Sequence, residues 1–190
     1  MGKIFCIIGK SASGKDVVCS MLLEQKKSLK RMMSYTTRPA GKDEIDGTHY
    51  RFVNEEFIAE KEREGVLIEK SVRDTEYGPA LYATIDDGSI TFNNGSYLAI
   101  RDPAGAQKIK EYYGAKNVVV IHIVVDDGIR LMRALTREMT QPYPKYADMC
   151  NRYLDDERDF ANVQCDFVCE NVDLFKCVEE LKKIIKENRN

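Results

Sequence analysis

The sequence predicts an α/β fold, a parallel sheet sandwiched between helices, from three observations. Two near-continuous apolar runs, Ile4 to Ile8 and Val118 to Val125, have the unbroken hydrophobicity of strands covered on both faces. A glycine-bounded loop follows the first run and opens a helix-like stretch, Val17 to Gln25. Helix start and stop signals then recur between the apolar runs and after them. Asp102-Pro103 reads as N-cap and first helical position for Ala104 to Tyr113, with Gly114 as the stop. Asp127 is expected to cap a helix from Ile129 to Met139. Near the end, Asp173 precedes Leu174, Cys177, Val178, Leu181, Ile184 and Ile185, a spacing that gives one apolar helix face.

Two segments break the alternation. Residues from about Ser34 to Asn94 are rich in charge and glycine, with one clear helix, Glu55 to Glu64, capped by Asn54 and ended by Gly65. This is a candidate substrate-binding insertion. Thr140 to Tyr146 carries Pro142 and Pro144, which forbid a continuous helix between two arginine-bearing helices, and suits a lid.

At 190 residues the chain suits one domain with a full core. The net charge is -2 with acidic and basic residues interleaved, which argues against a nucleic-acid or membrane-surface partner. Met1-Gly2-Lys3 runs straight into a strand and no apolar run approaches the ~20 residues of a membrane span, so a cytoplasmic protein is expected, monomeric or homodimeric. Six cysteines lie in apolar or helical contexts without a C-x-x-C pair, and reduced, buried thiols are expected. Of two histidines, His122 lies inside a strand-like run and reads as a packed imidazole, so zinc or triad chemistry has little material.

The loop itself, Gly9-Lys10-Ser11-Ala12-Ser13-Gly14-Lys15-Asp16, reads as a phosphate cradle. A buried strand that ends in such a loop aims consecutive backbone N–H groups and the positive end of a helix dipole at one anion, with Lys15 as a mobile countercharge. Asp16 stands where the strict pattern has Ser or Thr; a carboxylate there also suits Mg²⁺, directly or through water. The loop indicates a nucleotide triphosphate and leaves the reaction open.

Ser34-Tyr35-Thr36-Thr37-Arg38-Pro39, followed by Glu44 to Val53, closely resembles the guanylate kinase family, as do Leu67-Ile68-Glu69, Tyr77-Gly78, Asp102 to Ala106, the arginines Arg133, Arg137 and Arg152, and Asn171. The resemblance covers nearly the whole chain. It implies a P-loop NTPase-type parallel sheet flanked by helices, with a core (1–33, 95–129 and 153–190), an inserted nucleoside-monophosphate-binding segment (34–94) and a lid (about 130–152). It also implies phosphoryl transfer from ATP to GMP or dGMP with Mg²⁺. Gly9 to Asp16 and Asn171 would bind ATP, and Asp16 the metal. Ser34, Arg38, Lys42, Tyr50, Glu69, Tyr77 and Asp102 would bind GMP, and Lys15, Arg38, Arg133, Arg137 and Arg152 would neutralise the charge in transit.

These residues make chemical sense by themselves. The Arg38 fork suits a phosphate monoester, and Tyr50 and Tyr77 each offer a hydroxyl. Guanine presents adjacent N–H donors on its pairing edge where adenine presents an acceptor, so the Glu69 carboxylate selects guanine. Asp102 has a second reading, as the cap of the helix at Pro103. Arg133, Arg137 and Arg152 have one too, as partners of Asp155, Asp156 and Glu157 on a solvated face.

The chain departs from the family pattern at four functional positions. Gly41, with Lys42 beside it, replaces a second arginine at the acceptor phosphate; Pro79-Ala80 replaces a hydroxyl pair that reads guanine; Ile100 replaces an acidic residue; and Asp16 is the fourth. Two other readings follow: a kinase of a base-free phosphosugar such as ribose 1,5-bisphosphate, and a non-catalytic module that binds protein partners.

Overall fold

In the computed structural model, which describes residues 1–189 apart from 43, 76 and 94, the buried run Ile4–Ile8 forms β1 at the centre of the main sheet. The order across that sheet is β2 (Leu29–Arg31), β7 (Ser96–Ile100), β1, β8 (Val118–Val124) and β9 (Phe167–Glu170). Every pairing in it is parallel.

Strand alternation divides the core in two. Phe5 and Ile7 face Val18, Cys19 and Leu22 of α1 (Lys15–Gln25) and the apolar stripe of α6 (Leu174–Glu187). Ile4, Cys6 and Ile8 face Ala106 and Ile109 of α3 (Pro103–Tyr113). Helices on both faces are why β1 and β8 show no polar alternation. His122 in β8 packs its ring 5.1 Å from Phe160, and burial holds its imidazole below the ordinary range.

Helix starts at Asn54 and Asp102 follow the predicted chemistry, and Asp173 caps the last helix in the same way. Asn54 accepts from the Phe57 N–H ahead of α2 (Glu55–Arg63), Asp102 from Gly105, and Asp173 from Lys176. For α4 (Asp127–Met139) the cap is Asp126 rather than Asp127. Asp126 has non-helical backbone (φ −51°, ψ 138°) and accepts from Gly128 and Ile129, while Asp127 is already helical and turns its carboxylate to Arg130.

The larger difference lies in 34–94, which holds its own sheet besides the one expected helix. Its order is β4 (Arg51–Phe52), β3 (Tyr35–Thr36), β6 (Gly78–Ile85) and β5 (Leu67–Thr75), with α2 packed on Tyr35, Ala83 and Ile85 through Ile58. β5 is exposed or half-buried along its length, so its sequence shows no clean alternation.

α5 (Tyr146–Asp159) follows the proline segment and contains no buried residue. Boundaries at 130 and 152 fall inside α4 and α5, each continuous through them. All six cysteines are free thiols; Cys150, on α5, is exposed rather than buried. No helix among the described residues is long and apolar enough to cross a membrane.

Leu181 is fully buried between α6 and the sheet. Leu181→Ala is expected to lower unfolding free energy by about 2–5 kcal/mol in urea titrations, and Leu154→Ala on exposed α5 by no more than about 0.5 kcal/mol.

Candidate active site

Parallel strands end on one edge of the sheet, and the loops that leave that edge build the site. After β1 the chain turns at Gly9, where a Cβ would lie 2.7 Å from the Ile123 carbonyl oxygen. It re-enters α1 at Gly14, whose φ is 85° and whose Cβ would lie 2.4 Å from Asn171 Nδ2. Neither position admits a side chain. Ala12 has φ 62°, the only non-glycine at positive φ among the described residues, a strained conformation of the kind that gathers at ligand sites.

Asn171, expected as an ATP contact, is a brace in this structure. Its side-chain N–H donates to the Ser13 carbonyl at 2.7 Å, its backbone N–H to Val124, and its own carbonyl accepts from Arg133 at 3.1 Å. The sheet thus holds the loop from behind, and Arg133 joins the brace.

Facing the loop is an ionic cluster centred on Arg130, a residue sequence reasoning missed. Only 2% exposed, Arg130 donates to Asp127, Asp156 and Glu157 and to the Ser11 carbonyl, and lies over the Tyr153 ring at 4.6 Å. Asp156 accepts from the Ser11 N–H at 2.8 Å, and Lys10 donates to Glu157 at 2.6 Å. α5 has no fully buried residue, and its contacts with the loop are polar ones through Asp156 and Glu157. Arg137 and Arg152 border one hollow together with Ser11; Arg152 also donates to Glu138 at 3.1 Å.

A cleft of about 1120 Å³ runs from the loop to the second sheet. At one end are Lys15 and Asp16, whose carboxylate is 77% exposed and 4.0 Å from the Lys15 ammonium; at the other are Ser34, Tyr50, Glu69 and Asp102. A bulge in β5 between Leu67 and Glu69 puts Glu69 opposite Thr84 of β6. There Thr84 Oγ1 donates to Glu69 Oε1 at 2.7 Å, and buried Arg101 lies 3.6 Å from the same oxygen.

Several expected residues are otherwise engaged. Asp102 spends one oxygen on its helix cap and the other on Arg73 at 3.0 Å. Arg38 gives its fork to Glu44 at 2.5 and 2.6 Å and its Nε–H to Tyr82, and does not line the cleft. Lys42 is exposed, and so is Tyr77 at the tip of the β5–β6 hairpin, two residues from Thr75 in the cleft wall. The Gly41 N–H donates to Glu44 at 2.8 Å, so the position without a side chain closes on the carboxylate that holds Arg38. Tyr50 packs edge-on to Tyr82 beneath the Arg38 guanidinium, and burial raises its phenol above the ordinary range.

A phosphate loop at the carboxyl edge of a parallel sheet, sharing one cleft with an inserted second sheet, defines the class of P-loop nucleotide kinases. Comparison with known proteins narrows the class. The guanylate kinase family model matches residues 1–188. The chain is 28% identical over 185 residues to a guanylate kinase of Salinibacter ruber, covering 97% of this chain and 95% of that protein. It is 31% identical over 188 residues to one of Syntrophotalea carbinolica, covering 97% and 85%. The crystal structure of guanylate kinase from Anaplasma phagocytophilum superposes with a TM-score of 0.73 at 22% identity over 99% of this chain and 86% of that one, which establishes the shared fold. The chain belongs to the guanylate kinase family.

Gly14→Ala forces a side chain onto Asn171 in left-handed backbone, and the dissociation constant for ATP, read by calorimetry, is expected to rise at least about tenfold. Hydrogen bonds from Arg38 hold the Glu44 carboxyl down to about 2, below its ordinary 4.5. A depressed carboxylate stabilises the fold fully above its unfolded value and loses that contribution as pH falls through its folded one. Urea midpoints of wild type and Glu44→Gln should therefore differ at pH 6 and converge between pH 4.5 and about 2.

Proposed function

We infer that the protein transfers the terminal phosphoryl group of ATP to GMP, producing ADP and GDP. What carries this reading is the single cleft that joins the phosphate loop to Glu69. Phosphoryl transfer asks for two anionic nucleotides in line, the moving charge neutralised and water excluded, with little covalent work from the protein. The braced loop amides and Lys15 would take the ATP phosphates, and Ser34, Tyr50 and Glu69 the acceptor. Arg38 would contribute a phosphate contact by exchanging Glu44 for the acceptor, with Lys42 and Tyr77 close by in the chain. Asp102, committed to its cap and to Arg73, would act by fixing the wall of the base site. Arg137 and Arg152, at the hollow beside Ser11, would supply charge as α5 settles. Arg133 acts through the Asn171 brace.

Mg²⁺ fits this site in one way. Among the described residues no three His, Cys, Asp or Glu side chains converge as a metal cage, and Asp16 offers one open carboxylate at the cleft wall. Asp16 would therefore hold the ion jointly with phosphate oxygens, the manner in which Mg²⁺ is commonly bound. When bound, the ion neutralises the β- and γ-phosphate oxygens.

ADP release measured with ATP and Mg²⁺ against GMP, dGMP, AMP, UMP and ribose 1,5-bisphosphate tests the reading. Turnover is expected with GMP and dGMP, reduced about 10²-fold or more in kcat by Lys15→Ala. Glu69→Ala is expected to raise KM for GMP by about tenfold to a hundredfold. Equal rates with AMP and GMP would refute the role of Glu69, and turnover of the phosphosugar alone would refute the acceptor.

A further inference from the structure

The side chain that reads the base is itself held by two residues that no resemblance assigns. Glu69 and Thr84 are paired across the β5–β6 ladder, immediately after the bulge, so their side chains share a face. Thr84 is fully buried, and its hydroxyl has contacts on both sides: Arg101 Nε at 3.0 Å and Glu69 Oε1 at 2.7 Å. Chemistry fixes the direction of this chain. A guanidinium only donates, so the hydroxyl oxygen accepts from Arg101 and its single proton goes to Glu69.

Arg101 is anchored in turn. Its Nη1 donates to the Ile100 carbonyl at 2.7 Å, its side chain is 8% exposed, and Glu69 at 3.6 Å is the only carboxylate it pairs with among the described residues. Its Nη2, on the same edge as Nε–H, is buried without a partner among them, so nothing else on that edge draws the guanidinium away. Burial lowers the Arg101 pKa, and the Glu69 charge is the largest influence opposing that shift. The far side is closed by the first turn of α3, where a Cβ at Gly105 would lie 3.4 Å from Glu69 Cδ. The carboxylate is thus held at Oε1 and backed by α3, and it lines the cleft with Oε2 and the second lone pair of Oε1 still able to accept.

We propose that Arg101 and Thr84 are positioning residues that aim the Glu69 carboxylate at the purine's pairing edge and thereby set the preference for guanine. The proposal rests on the GMP reading above and adds the residues that make it selective. Two parallel N–H donors, N1–H and the 2-amino group, are received together only by a carboxylate whose plane is fixed, and a swinging one loses the second bond first. The Pro79-Ala80 stretch brings no hydroxyl to this end, so the burden of base reading falls on the clamped carboxylate.

The test compares GMP with IMP, which lacks only the 2-amino group, by kcat and KM in the whole enzyme. In Thr84→Val, the same shape without the hydroxyl, the GMP-over-IMP ratio of kcat/KM should fall about tenfold, through KM for GMP, with kcat and KM for ATP within about twofold. Thr84→Ser should restore the ratio. Arg101→Met should repeat the loss, and the double variant should lose no more than either single one, as expected of one chain of contacts. An unchanged ratio in Thr84→Val, a loss that Thr84→Ser fails to reverse, or a fall in kcat that is equal for both substrates would overturn the proposal, whether or not Arg101→Met folds. No turnover of GMP by the unaltered enzyme would overturn the activity itself, a result distinct from an unchanged ratio.

Discussion

The contact between Asn171 and the loop at Gly14 is the constraint on which the site depends. A side chain at Gly14 would occupy the space of the Asn171 amide, which instead bonds the Ser13 carbonyl. Loop and amide are 158 positions apart in sequence, joined only because β1 and β9 run parallel on either side of β8 and their C-terminal ends lie at the same end of the sheet. Amide dipoles stabilise an anion well only when they are fixed before it arrives, and here the sheet supplies the rigidity. The left-handed backbone of Ala12 is the visible strain of that arrangement.

Charge organises what lies in front of the loop. A buried guanidinium is tolerable only with several acceptors, and Arg130 finds three carboxylates and a carbonyl on three different elements. It therefore couples α4, α5 and the loop, although α5 itself has no fully buried residue. Helices held this way sit at the low-stability end of a fold, the end from which closing elements are drawn. A second consequence concerns Ser11, whose N–H is satisfied by the Asp156 carboxylate, an oxygen anion of the kind the loop is shaped to receive.

Two further pairs of opposite charge form in and beside the second sheet. Without a side chain at Gly41 the backbone N–H closes on Glu44, which then takes the whole fork of Arg38. Arg101 turns inward to Thr84 and Glu69.

Much of this was legible in the residues alone. The apolar runs of β1 and β8 named a parallel sheet because helices cover both its faces, and the spacing of Gly9, Gly14 and Lys15 named the phosphate loop because backbone geometry admits little else there. The caps at Asn54 and Asp102 were readable because capping is local chemistry. Asp127 was misread because two adjacent aspartates offer the same side chain and only backbone angles separate them. The second sheet was invisible because β5 is exposed on too many sides to alternate. The cluster around Arg130, the Thr84–Arg101 contacts and the bracing role of Asn171 depend on where distant elements bring side chains together, and the Glu44 partner of Arg38 on how the loop between them closes. Sequence by itself determined the fold class and the loop, whose causes lie within a few residues; only tertiary structure decided which charges meet, because that is settled by strand order and register rather than by neighbours in the chain.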